Sequence, residues 1–224
     1  MTEIHGKTPS ALDDTIIKIS EKFNDLNESL EANFKYQIIT VILFYIYSNS
    51  NADKQKPIKI FDIDFSYDLF MIFFPVALLY LVSNMALLTM GFIELSDLFF
   101  TKLETKKSNK EEYATLRSLR PKSIFLTIPL TRFSFNNSKF GKAFFYIISV
   151  LLYAFPGLNM ALVIFAIVKN QPKIVSVPFL IIALTAFVGL YYEYNRGNIT
   201  KDYRYLLWAT YASFIISLCI LFFV

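Results

Sequence analysis

Residues 69–92 carry no charged side chain over 24 positions, and residues 143–168 carry none over 26 more. About 20 apolar residues in a helix cross the hydrocarbon core of a bilayer. A backbone at that depth must satisfy its own hydrogen bonds, so segments of this length are helices. Two such runs in a 224-residue chain that is 55% apolar and 18% charged set the class: an all-α membrane protein, a helical bundle. Residues 174–192 and 205–224 also meet the length criterion. Residues 34–49 form a shorter run in which Lys35 can snorkel while Tyr36, Tyr45 and Tyr47 sit at the interfaces. The expectation is about five transmembrane helices; the alternative for the first run is a helix lying in the interface.

With five crossings, 17 Lys and Arg fall on the side that holds residues 1–35, 98–142 and 193–204, against 5 on the other side. Positive residues stay in the cytoplasm, so the N-terminus is expected inside. Residues 1–35 are polar and mostly acidic, so no cleavable signal is expected, and the first apolar run should act as an anchor. The chain then divides into residues 1–33, a cytoplasmic N-terminal coiled-coil helix; 34–97, a transmembrane hairpin with a short extracytoplasmic loop; 98–142, a basic cytoplasmic loop subdomain; and 143–224, three transmembrane helices. Within the outer loop, residues 58–65 partly alternate and predict a short strand or hairpin.

The N-terminal segment has an apolar rhythm of its own. Leu12, Ile16, Ile19, Phe23, Leu26 and Leu30 follow alternating spacings of four and three, and the next position in the series is Asn33. A repeat of 3.5 residues keeps one narrow seam against a partner helix. The favoured use is self-association of several copies, as a homo-oligomer; the other is a helix folded back on its own chain or lying on the membrane. Ser10, with Asp13 and Asp14 behind it, predicts the helix start.

The inside loop divides at Pro121. Residues 103–120 are charged and predict a helix. Residues 123–140 read as short extended pieces, with Lys122, Arg132, Lys139 and Lys142 interleaved among Phe125, Phe133, Phe135 and Phe140. Cations beside aromatic faces suit a nucleotide or single-stranded nucleic acid, and suit an anionic lipid surface equally. The candidate ligand or lipid contacts are Lys122, Arg132, Phe133, Phe135, Lys139 and Lys142. A cytoplasmic partner protein is a further possible occupant.

Catalytic raw material is sparse. His5 and Cys219 are the sole residues of their types, and the glycines form no phosphate-cradling motif. No metal, no cofactor and no enzymatic role is expected. The membrane runs also lack the buried charges that mark proton relays. They keep Ser83, Asn84 and Asn159 as candidate pore or polar membrane residues, which either join helices by hydrogen bonds or face a water-filled path. Pro75, the Pro156-Gly157 pair and Pro178 permit kinks, for packing or for gating.

A seamed cytoplasmic helix, several uncharged spans and a basic inside loop in one small chain resemble, at the level of layout, the compact membrane effectors of bacterial anti-phage defence, of the Hailong channel subunit or Kiwa membrane subunit kind. The resemblance implies an oligomeric, ion-conducting protein of the bacterial inner membrane, with a tetramer favoured, depolarising it on a nucleotide or oligonucleotide signal. The alternative is a non-conducting scaffold or accessory subunit that docks a cytoplasmic partner.

Overall fold

The computed structural model describes residues 11–49, 58–60, 63–120, 122–126, 139–170, 177–178, 180–185, 188–189 and 200–223. Helices make up nearly all of it. The first, α1, runs Ala11–Asn49 for 39 residues without a break. No Gly or Pro interrupts that stretch, so nothing in the backbone chemistry stops the helix where polar residues give way to apolar ones at 33–34. At 1.5 Å per residue α1 is about 58 Å long, roughly twice the hydrocarbon thickness of a bilayer. The domain boundary expected at that point is a change of surface, and the helix passes through it.

Strands β1 (Ile58–Ile60) and β2 (Ile63–Phe65) follow as an antiparallel hairpin with Ile58 opposite Phe65 and Ile60 opposite Ile63. Helix α2, Tyr67–Thr105, is again 39 residues. The Ser66 side chain caps it by accepting the Leu69 N–H at 3.2 Å, and Asp68 lies in its positively polarised first turn. Like α1, α2 outlasts its apolar run, crossing the boundary expected at residue 97 and continuing eight residues into the predicted loop. The single helix expected over 103–120 is therefore two: the end of α2, and α3 at Lys110–Ser118, which Asn109 caps through the Glu112 N–H. Lys106 and Glu112 form an ion pair across the bend. A 3-10 turn at Ile124–Leu126 stands where an extended piece was expected. Helix α4 is Lys139–Asn170 and α5 is Thr200–Phe223.

Two helices, Tyr67–Thr105 and Lys139–Lys169, are long and apolar enough to cross a membrane, and Leu207–Phe223 is a shorter apolar helix. Their outward faces fit that environment, since Phe73, Tyr80, Leu87, Ile147, Leu151 and Ile216 are all exposed. Large apolar side chains exposed in this number suit lipid better than water.

Helices α1 and α2 pack lengthwise and antiparallel, with two clusters of buried side chains between them. At one end Ile16, Ile19, Phe23 and Leu30 meet Phe92, Ile93, Phe99, Phe100 and Leu103, closed off by Leu116 of α3 and by Phe125. The Phe23 ring lies 4.8 Å from Phe92 and 5.9 Å from Phe99. At the other end Phe44 stacks on Phe74 at 4.0 Å, and Phe70 and Leu78 of α2 join Met160, Val163 and Ile167 of α4.

Within one chain the seam already has a partner helix. Ile16, Ile19, Phe23 and Leu30 are buried and Leu26 is half-buried within a single chain. The Leu12 side chain lies outside the described residues. A 3.5-residue rhythm reports that a helix lies along the seam without saying whose helix it is. Here the extension of α2 beyond its apolar run supplies it. Gly91 lets the pair close, because a Cβ there would already stand 3.2 Å from Leu26 Cδ2.

Helices α4 and α5 share the most extensive contact among the described elements. A Cβ on Gly157 would run into the Thr210 carbonyl oxygen and Ser213 Oγ, so only glycine allows this approach. Thr210 Oγ1 donates to the Tyr153 carbonyl at 2.9 Å and Ser213 Oγ to the Ala154 carbonyl at 2.7 Å. These bonds fall in the turn where Pro156 disturbs the ladder of α4. The Pro156-Gly157 pair thus lies in the contact between α4 and α5.

Candidate functional site

The most distinctive polar feature lies at the junction of α1, α2 and α4. Asn33 and Gln37 are four residues apart on α1 and share a face. Gln37 Nε2 donates to Asn33 Oδ1 at 2.8 Å and lies 3.3 Å from the Leu81 carbonyl and 3.0 Å from Met85 Sδ, both on α2. From α4, Asn159 Nδ2 donates to Gln37 Oε1 at 2.6 Å. Gln37 and Asn159 are fully buried and Asn33 nearly so. The three amides form a hydrogen-bonded chain whose two ends, the donor Asn33 Nδ2 and the acceptor Asn159 Oδ1, have no hydrogen-bond partner among the described residues.

A neutral amide carries no titratable proton, so this chain holds no acid, base or nucleophile. Its chemistry is positional. In a low-dielectric interior each bond is strong, and any shift that strands an amide is costly. Gln37 reads both neighbouring helices at once and fixes their mutual register, as a buried Asn does in a coiled coil.

Of the polar membrane residues anticipated from sequence, Asn159 belongs to this junction. Ser83 and Asn84 do not; both are half-buried on α2, and among the described residues their side chains make no hydrogen bond. Thr89 is buried and bonds back to the Met85 carbonyl at 2.8 Å. The hub residue, Gln37, was missed. Its signal was in the rhythm, because Asn33 and Gln37 continue the alternation of three and four that ends in Leu30, carrying the seam into the apolar half of α1.

The basic loop residues divide differently. Lys122 and Lys139 are exposed. Arg132, Phe133 and Phe135 lie outside the described residues, as does the Lys142 side chain. Phe140 is exposed, but Phe125 is 1% exposed, set edge-on to Phe34 at 5.9 Å and to Phe92 at 6.4 Å. Phe125 is a core residue and is not available to stack on a ligand. Ser20 Oγ of α1 donates to the Leu119 carbonyl at 2.7 Å, fastening the segment after α3 to α1. Burial, and then the charge of Arg117, push the Arg120 guanidinium below its ordinary pKa. Among the described residues no three His, Cys, Asp or Glu side chains group as metal ligands.

No protein-family model matches the chain, and none of the curated proteins or solved structures matches it.

Proposed function

We propose that the protein is a non-conducting, multi-pass membrane subunit of about five crossings with its N-terminus in the cytoplasm, and that it carries a stiff helical head on which a cytoplasmic partner docks. The observation that supports this most directly is that α1 and α2 are both 39 residues long and stay packed well past their apolar runs. About half of α1 therefore stands beyond the bilayer, braced by α2, α3 and Phe125. Its outward face offers Glu21, Asp25 and Glu28, all exposed, which suits a basic partner surface. A photo-reactive side chain at Glu28 should give a discrete cross-linked adduct in cells. Charge reversal of Glu21, Asp25 and Glu28 to Lys should remove the adduct while the protein still floats with membranes. Ion current from the purified protein in planar bilayers, with no adduct, would overturn this reading.

The second reading is the oligomeric channel that the layout resemblance implies. Ser83 and Asn84 favour it, since polar side chains left over on a membrane helix invite contact with a second copy or with water. It requires a particle of several copies in detergent and a conductance altered by Asn84→Leu. A monomer by light scattering excludes it.

A further inference from the structure

An open cavity of about 650 Å³ lies between α1 and residues 122–125, within the size range of small-ligand sites. Its lining is divided by chemistry. Lys35 and Lys122 are exposed cations; Ile38, Ile39 and Ile124 are exposed apolar side chains; and Phe125, at the base, is buried. One bond inside residues 122–125 shapes the segment, and one ring seats it on the core. Ser123 Oγ accepts the Phe125 N–H at 3.1 Å, and the Phe125 ring is locked against Phe34 and Phe92. Lys122 therefore precedes a turn seated by Phe125 and lines the cavity. The position along α1 is equally telling, because Lys35 marks the start of the apolar half, and Ile39 lies one helical turn, about 6 Å, deeper.

We infer that this cavity binds one anionic phospholipid, with the headgroup phosphate between Lys35 and Lys122 and an acyl chain along Ile38, Ile39 and Ile124. The proposal rests on the membrane placement above and is independent of the docking role. Two cations and one carboxylate, Glu31, line the cavity, leaving a single net positive charge that complements one phosphate diester. Glu31 lies one turn before Lys35, on the side away from the isoleucines. Asn27 Nδ2 steadies its carboxylate at 3.1 Å, so Glu31 can accept hydrogen bonds from headgroup hydroxyls. A glycerol headgroup supplies those hydroxyls and adds no second charge. Phosphatidylglycerol is accordingly the lipid class the cavity fits. Apolar residues on the deep side exclude a soluble phosphate ester as the best occupant, because they would stay uncovered.

Native mass spectrometry of the full-length protein, released from detergent containing phosphatidylglycerol or phosphatidylcholine, tests the site. Wild type should retain one phosphatidylglycerol preferentially. K35Q/K122Q should lower that retention by roughly tenfold or more, the effect expected from losing two lysines near a phosphate. K107Q/K110Q, which removes two exposed lysines outside the cavity, should not change it. Ile39→Trp should lower it with the charges intact. Equal retention by wild type and K35Q/K122Q, an equal drop in K107Q/K110Q, or displacement by soluble glycerophosphoglycerol at matched concentration would each overturn the proposal. Liposome flotation separates the two layers of the argument. Protein that floats without lipid preference sinks the site alone, and wild type that stays in the aqueous fraction sinks the membrane placement and the site together.

Discussion

At the scale of single residues, Gln37 is the position with the most at stake, because its one side chain satisfies partners on its own helix, on α2 and on α4. Replacing it with Leu leaves Asn33 and Asn159 buried without their bonds. Gln37→Leu should therefore destabilise the fold by about 1–3 kcal/mol, measured as a shift in thermal unfolding in detergent. Adding Asn159→Leu should recover part of that loss, since removing both partners of a buried bond costs less than stranding one. A double variant weaker than the sum of the singles would contradict the hub role. Asn159 was legible in the sequence as a polar residue inside an apolar run. Gln37 was not singled out because it follows only a few residues after the last charge, where amides are common, and its depth shows only once its helix is packed.

At the scale of elements, the apolar runs and the hairpin over residues 58–65 could be read from pattern, whereas the ends of α1 and α2 could not. Hydropathy marks where lipid ends; a helix ends where caps, glycine or proline intervene. Between Phe92 and Lys106 no Gly or Pro appears, so α2 continues past its apolar run and meets the seam. It follows that Ile19→Asp with Phe23→Asp acts within the chain. Two unpaired charges in that cluster cost several kcal/mol, and limited proteolysis should cut α1 near those positions while the membrane part stays intact. A variant resisting protease as wild type does would argue against the packing of α1 on α2. The α4–α5 pair has its own weak point at Gly157. Gly157→Val places side-chain atoms where Thr210 and Ser213 already stand, and a loss of about 2 kcal/mol or more is expected from overpacking, seen as a lowered unfolding temperature.

For the whole molecule, the basic residues predict a cytoplasmic N-terminus, and cysteine labelling checks it. Cys219 is exposed, so a Cys219→Ser background is needed. In that background a membrane-impermeant maleimide should label Asp64→Cys in intact cells, and label Glu28→Cys only after permeabilisation. The reverse pattern would invert the topology. The fold class was open to sequence reasoning because bilayer thickness imposes lengths that composition cannot hide. The seam's partner was not, because a periodic stripe specifies geometry on one side only. The basic loop was legible as charge, but Phe125 shows why its aromatics could not be assigned from spacing: an aromatic beside a cation serves a core as readily as it serves a ligand. The amide junction meanwhile lies along the same α1–α2 pair as the apolar cluster around Phe23 and the one around Phe74. Sliding one helix past the other by a single turn would tear all three contacts at once. Force applied to the acidic end of α1 should thus travel inward as a tilt of the pair, never as a piston stroke.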